Sequence, residues 1–309
     1  MNKPQFTTAM LHPRYWILWF FIGCAAAITR LPYRWQISIG KYFGLLLHKI
    51  ARSRRHVAEV NIRLCFPEQS PAEQAQLVRQ IFIDNGIGFM ETMISWFRAP
   101  DYLLPICRIN GLDKLQAAHA TGRGVLILGG HFSMLDLAGT LVGNHATVSI
   151  TYKPQKNAVL NFIMKRGRSR TYKNQFVSKD IRGMMRALKQ GDAVWYAPDQ
   201  DFGPDNSVFA PFFGVPTATL TATSRIAKAG NAVVIPTSFF RLPGNTGYEI
   251  NLFDPLPIPG ESDEADAVVA NQFLEQQIRR YPSQYLWLHK RFKSQPGEAG
   301  ERGRLYQRR

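Results

Sequence analysis

From Gly124 onward, short apolar runs alternate with amphipathic segments that carry helix-capping residues. The apolar runs predict strands at residues 124–128, 147–152, 193–197, 232–240 and 248–253. The amphipathic segments predict helices at residues 133–142, 157–166, 180–190, 217–229 and 264–280, with Gly191 and Gly230 as C-terminal caps. Such alternation predicts an α/β fold in which helices flank a mixed central sheet.

Before Gly124 the pattern is helical. The run Ser70-Pro71-Ala72-Glu73 has the sequence of a capping box with proline at the first helical position, so a helix is expected to begin near Pro71. Apolar side chains continue at helical spacing to Trp96, although Gly86 and Gly88 weaken the middle. Together with residues 37–54, this predicts a helical N-terminal layer. The tail from Gln295 onward is rich in Gly and Arg and is expected to be loose.

Residues 15–29 are the candidate for membrane contact. They are uncharged, and the aromatic residues around them are typical of a membrane interface. Because the stretch is shorter than the roughly 20 residues that span a bilayer, it is either a tilted span or a helix that lies shallowly in the interface. A cleaved secretory or lipoprotein signal is the rival interpretation. We predict an N-terminal membrane-anchoring helix within residues 1–36 and a main domain over residues 37–309, which the basic residues after the anchor place in the cytoplasm.

Thirty-eight Lys and Arg residues against twenty-two Asp and Glu residues give the chain a net charge of +16. This predicts attraction to an anionic partner, which is a nucleic acid, a phospholipid surface, a phosphorylated substrate or an acidic carrier protein. Charge alone does not choose among them. The three cysteines are too few and too scattered for a disulfide framework or a zinc site, which favours a reducing compartment.

The most informative motif is Gly129-Gly130-His131, which follows the predicted strand 124–128. It delivers a histidine to the carboxyl end of the sheet, where α/β proteins bind ligands. Asp136 follows five residues later, and on one ideal helix the two side chains would point about 140° apart. They can meet only if His131 precedes the helix and Asp136 lies in its first turns. A carboxylate on one imidazole nitrogen would leave the other nitrogen free to accept a proton.

We therefore predict His131 and Asp136 as a catalytic pair. The chain has no G-x-S-x-G motif, so a hydroxyl of the substrate is expected to act as the nucleophile.

Further stretches of sequence carry a family resemblance across nearly the whole chain. They are L-H-P-R-Y-W at 11–16, N-I-R-L-C-F-P at 61–67, M-E-T at 90–92, W-Y-A-P-D at 195–199 and Y-L-W-L-H-K-R-F-K at 285–293. His131 and Asp136 also form a motif in which four residues separate a histidine from an acid. Together with this motif, the stretches resemble the late acyltransferases of lipid A biosynthesis, within the lysophospholipid acyltransferase superfamily. The resemblance is greatest to the branch that adds a laurate-type chain to a Kdo-bearing precursor, although that branch typically carries Glu at the position of Asp136.

The resemblance implies an enzyme of lipopolysaccharide biosynthesis at the cytoplasmic face of the bacterial inner membrane. It would take an acyl chain from acyl carrier protein and transfer it to a hydroxyl of an anionic lipid acceptor, with no metal or bound cofactor. Another lipid, a glycerophospholipid or an aminolipid, is the alternative acceptor.

An acceptor with phosphates and Kdo carboxylates requires cations near the cleft. The predicted substrate-binding residues are Lys153, Arg168, Arg170, Lys173 and Asp199. Arg168 is the best candidate for contact with a phosphate or the transition state, and each cation could equally belong to a solvated basic face. In the acyltransferase interpretation, Asp199 shapes the cleft opposite His131.

Two other classes of protein fit parts of the sequence. Asp199-Gln200-Asp201 matches the metal-binding pair of a nucleotide-sugar glycosyltransferase, but the pattern is short and frequent and no nucleotide cradle accompanies it. The positive charge and the Arg-rich tail fit a nucleic-acid-binding protein, which the lack of a reading motif disfavours.

Two aromatic segments have open interpretations. Phe209, Phe212, Phe213 and Val215 line an acyl channel or pack in the core. His289 and the basic residues up to Lys293 are functional or form a basic strip beside the membrane that binds anionic lipid heads.

Overall fold

The structure is a computed structural model that describes residues 4–297 and 303–307. Four helices come first, and strands then alternate with helices to the end of the sheet. The N-terminal helices are α1 (Trp16–Ile28), α2 (Tyr33–Ile50), α3 (Arg52–Cys65) and α4 (Pro71–Phe97). There follow β1 (Cys107–Asn110), α5 (Leu112–Ala120), β2 (Gly124–Leu128), α6 (Leu135–Val142), β3 (Val148–Tyr152), α7 (Ala158–Arg168), β4 (Gln175–Val177), α8 (Ile181–Lys189), β5 (Ala193–Tyr196), β6 (Ser207–Phe212), β7 (Val215–Leu220), α9 (Ala222–Gly230), β8 (Ala232–Arg241), β9 (Tyr248–Leu252) and α10 (Asp263–Arg280).

A seven-stranded mixed sheet forms the centre, with the order β1-β9-β8-β2-β5-β3-β4. Strands β8, β2, β5, β3 and β4 are parallel, whereas β9 runs antiparallel to β8 and pairs in parallel with β1. Alternate residues of β2 face two different cores. Leu126 and Leu128 pack toward α8 and α9, while Val125 and Ile127 belong to the larger core that includes α6 and the N-terminal helices. The predicted mixed sheet flanked by helices is therefore confirmed.

The five predicted strands agree with the structure to within one residue at each end. The predicted helix at 217–229 is wrong in its first third, because residues 215–220 form β7, which pairs with β6 in a separate two-stranded sheet. Its C-terminal cap is Asn231, which adopts the left-handed conformation at φ 49°, and not Gly230. Strands β1, β4 and β6 and helix α5 were not predicted. They are short or lack a clear alternation of apolar and polar residues.

Helix α4 begins as the capping box predicts. The Ser70 side chain accepts from the backbone of Glu73, and the Glu73 carboxylate accepts from the backbone of Ser70. The two glycines that weaken its middle have a packing role. A Cβ at Gly86 would lie 2.3 Å from the carbonyl oxygen of Gly40 in α2, and a Cβ at Gly88 would lie 2.4 Å from that of Ser133. These glycines therefore let α4 approach both α2 and the loop that carries His131.

The stretch predicted as a membrane anchor forms α1, a helix of 13 residues. Among residues 4–297 and 303–307, none of the helices combines the length and apolar character required to cross a bilayer. Large apolar side chains of α1 are nevertheless exposed, among them Trp16, Ile17, Phe20 and Phe21.

The expected loose tail is wrong for residues 303–307, and residues 298–302, 308 and 309 lie outside the part of the chain that the structure describes. Tyr306 is buried. Its hydroxyl donates to Asn61 Oδ1 over 2.5 Å and accepts from the backbone N–H of Phe292 over 3.0 Å. An aromatic side chain among glycines and arginines therefore docks this part of the tail onto α3.

A buried ionic network ties α4 to the sheet. Arg241, at the end of β8, pairs with Asp84 and, over 2.7 Å, with Glu91. Glu91 also accepts from the Tyr248 hydroxyl, which in turn accepts from Tyr33 of α2. Because all but one of these residues are almost completely buried, each charge depends on its partner.

The same arginine connects the network to the loop that carries His131. Gln284 exchanges two hydrogen bonds with the backbone of Arg241, and the Gln284 carbonyl accepts from the backbone N–H of Ser133 over 2.7 Å. The network therefore contributes to placing the candidate site.

Candidate active site

His131 and Asp199 meet at the carboxyl edge of the parallel sheet. β2 ends at Leu128 and its neighbour β5 ends at Tyr196, so the chain after each strand leaves the sheet at the same edge. The Asp199 carboxylate accepts the backbone N–H of His131 through Oδ2 over 2.7 Å, and its Oδ1 lies 2.5 Å from His131 Nδ1. Both carboxylate oxygens thus hold one residue, and the imidazole leaves Nε2 for a substrate.

The predicted pairing of His131 with Asp136 is corrected by these contacts. Asp136 does lie in the first turn of α6, as expected, but it receives two hydrogen bonds from Arg168. Arg168 Nε is 2.7 Å from Oδ1, and the terminal nitrogen is 3.0 Å from Oδ2. The acid five residues after the histidine therefore anchors a guanidinium of α7, and the acid at the end of the neighbouring strand orients the imidazole.

The charge of Asp199 controls protonation at this pair. Burial by itself lowers the pKa of His131, but the negative charge of Asp199 and the hydrogen bond to it outweigh burial, so the pKa of His131 is raised from its usual value. Burial likewise disfavours the charged form of Asp199, yet the charge and hydrogen bonds of His131 lower the pKa of Asp199 to about 2. The carboxylate is therefore ionised at neutral pH, beside an imidazole that accepts protons more readily than usual.

The segment that follows α10 covers the histidine. The backbone N–H of Leu286 donates to the His131 carbonyl over 2.9 Å, and Tyr285 forms an antiparallel bridge with Phe132. A narrow gap with almost no free volume lies between the segment and the sheet edge. It is the cleft of the candidate site, and it is lined by His131, Asp199, Gln200, Tyr285, Leu286, His289 and Arg291. The predicted basic strip is wrong for Arg291, which is only 2% exposed and donates to the backbone carbonyl of Ala218 over 2.7 Å.

The predicted substrate cations are dispersed. Arg168 lies beside Asp136, and exposed Lys153 follows β3 at the same sheet edge as His131, two strands away. Arg170 donates to the backbone carbonyl of Trp96 and has no described contact with the cleft. Lys173 lies away from the cleft. It pairs with Asp192 over 2.5 Å, just before β5, at the opposite edge of the sheet.

The Asp199-Gln200-Asp201 pattern does not turn its two carboxylates toward a shared site. Asp199 binds His131, while Asp201 accepts from the backbone N–H groups of Gly203 and Ser294. Within the described ranges, no group of three or more His, Cys, Asp or Glu residues could hold a metal ion. The donor set therefore does not fit the metal pair of a glycosyltransferase.

The aromatic residues of the β6–β7 hairpin join the core. Phe212 is completely buried and its ring centroid lies 6.2 Å from that of Phe292, while Phe213 packs against Trp287. Phe209 is partly exposed. Core packing accounts for Phe212 and Phe213, and an acyl channel along this hairpin stays a prediction.

Sequence reasoning missed the roles of Tyr285, His289 and Arg291 in lining the cleft. The dense aromatic and basic run that contains them was a signal. Its position against His131, more than 150 residues earlier, depends on how the chain returns to the sheet edge after α10.

A buried acid that orients a histidine at the open edge of an α/β sheet defines a site suited to acid–base catalysis of group transfer. Residues 3–294 match the family model described as bacterial lipid A biosynthesis acyltransferase. The chain belongs to this family, and it is an acyltransferase.

Individual relatives agree over almost the full length. The chain is 36% identical over 297 residues to the lipid A biosynthesis lauroyltransferase of Escherichia coli K12, covering 96% of this chain and 97% of the relative. It is 34% identical over 294 residues to the palmitoleoyltransferase of the same pathway and organism, covering 94% and 96%. Among solved structures, it is similar to the 1-acyl-sn-glycerophosphate acyltransferase of Thermotoga maritima, at 13% identity and a TM-score of 0.38, covering 77% of this chain and 98% of that one.

Proposed function

We propose that this acyltransferase moves a laurate-type acyl chain from acyl carrier protein to a hydroxyl of a Kdo-bearing lipid A precursor. An acyloxyacyl ester is the product. The observation that carries the proposal is the hydrogen bond between Asp199 and His131, in a chain whose relatives are named for lipid A acylation.

The catalytic step uses His131 as a general base. Asp199 on Nδ1 fixes the tautomer in which Nε2 accepts a proton, and the raised pKa of His131 strengthens it as a base. Nε2 takes the proton of the acceptor hydroxyl while that oxygen bonds to the thioester carbonyl carbon. When the tetrahedral intermediate collapses, the carbon–sulfur bond breaks and the proton on His131 passes to the departing thiolate. Every bond and proton is accounted for without a further reactant.

Cationic groups at the sheet edge suit an anionic acceptor. Arg168 is held by Asp136 in a bidentate pair, and its side chain is 14% exposed, so it presents a fixed guanidinium rather than a mobile one. Lys153 stands exposed at the end of β3 and supplies a second positive charge. The net charge of +16 also favours encounter with an acidic carrier protein.

Membrane association is proposed through α1 and α2, which lie shallowly in the cytoplasmic leaflet of the bacterial inner membrane. Helix α2 exposes large apolar side chains at helical spacing, namely Trp35, Tyr42, Leu46 and Ile50. Exposed basic residues alternate with them, namely Arg34, Lys41 and Lys49. An amphipathic helix of this composition is typical of an interfacial helix on anionic lipid, and α1 extends the apolar surface.

The acyl-transfer proposal is tested by incubating the purified protein with acyl carrier proteins of graded acyl chain length and a Kdo-bearing precursor. Mass spectrometry of the lipid is the measurement. We expect one added acyl group, preferentially laurate-type, with wild-type protein and none with His131→Ala. Equal or better acylation of a glycerophospholipid or an aminolipid would overturn the proposed acceptor.

The membrane proposal is tested by flotation with vesicles that contain anionic phospholipid. Trp35→Glu combined with Leu46→Glu is expected to leave the protein at the bottom of the gradient, whereas Ile181→Glu on α8 should float like wild type. Unchanged flotation of the α2 variant would refute insertion through α2.

A further inference from the structure

The segment 284–291 brings two unusual nitrogen donors beside His131. Hydrogen bonds from Leu286 to the His131 carbonyl and from Ser133 to the Gln284 carbonyl fix the segment along the histidine loop. His289 and Arg291, a few residues further on, consequently line the same cleft as His131 and Asp199.

The first donor is Nε2 of His289. This atom is sealed from solvent and has no hydrogen-bond partner among the described residues. The backbone around it is held firmly, since the His289 carbonyl accepts from Asn61 Nδ2 and from the backbone N–H of Arg291, each over 2.9 Å. Burial lowers the pKa of His289 to about 4, so its imidazole is neutral at neutral pH and can donate through Nε2 without being a competing base.

The second donor is Nε of Arg291. The two terminal nitrogens of this guanidinium bind the Ala218 carbonyl over 2.7 Å and the Thr219 hydroxyl over 3.3 Å, but Nε is buried and has no partner within the described ranges. The side chain forms none of the ion pairs found among residues 4–297 and 303–307. A buried cation is ordinarily paired with an anion, so this one is suited to a negative charge that arrives with the substrate.

We propose that His289 Nε2 and Arg291 Nε form the oxyanion-binding site of this acyltransferase. As the acceptor oxygen bonds to the thioester carbon, the carbonyl π electrons move onto the carbonyl oxygen, which becomes negative. The two nitrogens bind that oxygen, while His131 on the same cleft holds the proton taken from the hydroxyl. The electrons return to re-form the carbonyl as the carbon–sulfur bond breaks. Donors that are already fixed in position before the charge develops stabilise such an intermediate most effectively.

This inference rests on the proposed acyl transfer, and one assay separates them. His289→Phe keeps an aromatic ring and removes both nitrogens, and we expect kcat to fall about 10²- to 10³-fold. KM for either substrate should change less than about threefold, because the contact forms in the transition state. The acid limb of the pH profile should stay where wild type has it, because Asp199 and His131 are untouched.

Two amide variants control for a merely structural role. His289→Gln places an amide nitrogen near the position of Nε2, whereas His289→Asn places it near Nδ1, so the Gln variant should be the more active by about tenfold. This comparison holds even if the Phe variant fails to fold, as judged by its melting temperature.

Three outcomes would overturn the assignment. One is a folded His289→Phe variant with near-wild-type kcat, and another is an Asn variant as active as Gln. The third is a loss confined to KM for the acceptor, which would mean that His289 binds a phosphate or carboxylate of that lipid. An inactive wild-type protein would overturn the acyl-transfer proposal as well, whereas active wild type beside inactive His131→Ala leaves that proposal standing whatever His289 does.

Discussion

Asp199, and not the acid five residues after the histidine, is bonded to Nδ1 of His131, with Oδ1 2.5 Å from the ring nitrogen. Asp136 faces the other way and holds Arg168 in a bidentate pair. The two acids therefore have separable functions. One orients the imidazole of His131 and raises its pKa, and the other holds the guanidinium of Arg168.

The first prediction separates the acids by the pH dependence of kcat/KM. Only neutral His131 accepts a proton, and its pKa lies above the usual value of about 6.5, so activity should fall as the pH drops through that raised pKa. Asp199→Asn removes the charge that raises the pKa, so the acid limb should move to lower pH. The same variant should lose about 10³- to 10⁴-fold in kcat, because the amide no longer fixes the tautomer.

Asp136→Asn is the matched control. It should leave the acid limb in place, since Asp136 makes no described contact with the imidazole. Any fall in kcat should arise because Arg168 loses its charged partner. If Asp136→Asn moved the limb and Asp199→Asn did not, the pairing of acid and base would be the reverse of the one described.

The second prediction concerns the stability of the pair between Arg168 and Asp136. Each side chain is 14% exposed, so removing one partner leaves a poorly solvated charge. Arg168→Met should lower the free energy of unfolding by about 3 kcal/mol, measured by urea denaturation. In the double variant Arg168→Met with Asp136→Asn, the free energy of unfolding should fall by less than the sum of the falls in the two single variants.

Lys114 and Asp254 provide a solvated comparison, because the aspartate side chain is 86% exposed. Lys114→Met should cost less than about 1 kcal/mol. Equal falls in the free energy of unfolding for Arg168→Met and Lys114→Met would show that burial does not strengthen the pair between Arg168 and Asp136.

The sheet was accessible to sequence reasoning because its central strands are apolar runs with clear ends. Gly124–Leu128 is a buried apolar run of five residues, and its short length together with the glycines that follow it favours a strand over a helix. The same pattern predicted where the carboxyl edge of the sheet lies. His131 follows a strand at that edge, so the sequence identified it as a candidate site residue.

The partner of His131 could not be found in the same way. It depends on β5 pairing next to β2, and strand order is set by packing of the whole sheet rather than by local sequence. Spacing along the chain favoured Asp136, whereas adjacency in the sheet brought in Asp199. Lys173 was misplaced for a related reason, since a basic residue after a helix lies at either edge of a sheet depending on where the next strand begins.

The third prediction addresses the buried network around Arg241. Arg241→Met would leave Asp84 and Glu91 buried without their cation, so the free energy of unfolding should fall by about 3–5 kcal/mol. Arg225→Met, at a mostly exposed pair with Asp263, should change it by less than about 1 kcal/mol. Denaturant unfolding followed by far-UV circular dichroism measures both. A loss at Arg241 no greater than at Arg225 would show that the buried acids are satisfied without it.

The last prediction tests the contact through which α4 supports the histidine loop. A methyl group at Gly88 would lie 2.4 Å from the carbonyl oxygen of Ser133, which is too close to be accommodated without moving that loop. Gly88→Ala should therefore lower kcat at least tenfold, since a displacement of about 1 Å in a catalytic group costs roughly two orders of magnitude. The melting temperature should fall as well.

Gly23 is the matched control, because it lies in helix α1 and a Cβ there would meet nothing within 4 Å. Gly23→Ala should raise stability by about 0.5–1 kcal/mol through helix propensity and leave kcat unchanged. If Gly88→Ala were as active as Gly23→Ala, α4 would not set the position of His131. The coupling between the N-terminal helices and the candidate site would then have to pass through other contacts, such as those of Arg241 with Gln284 and of Asn61 with the carbonyl of His289.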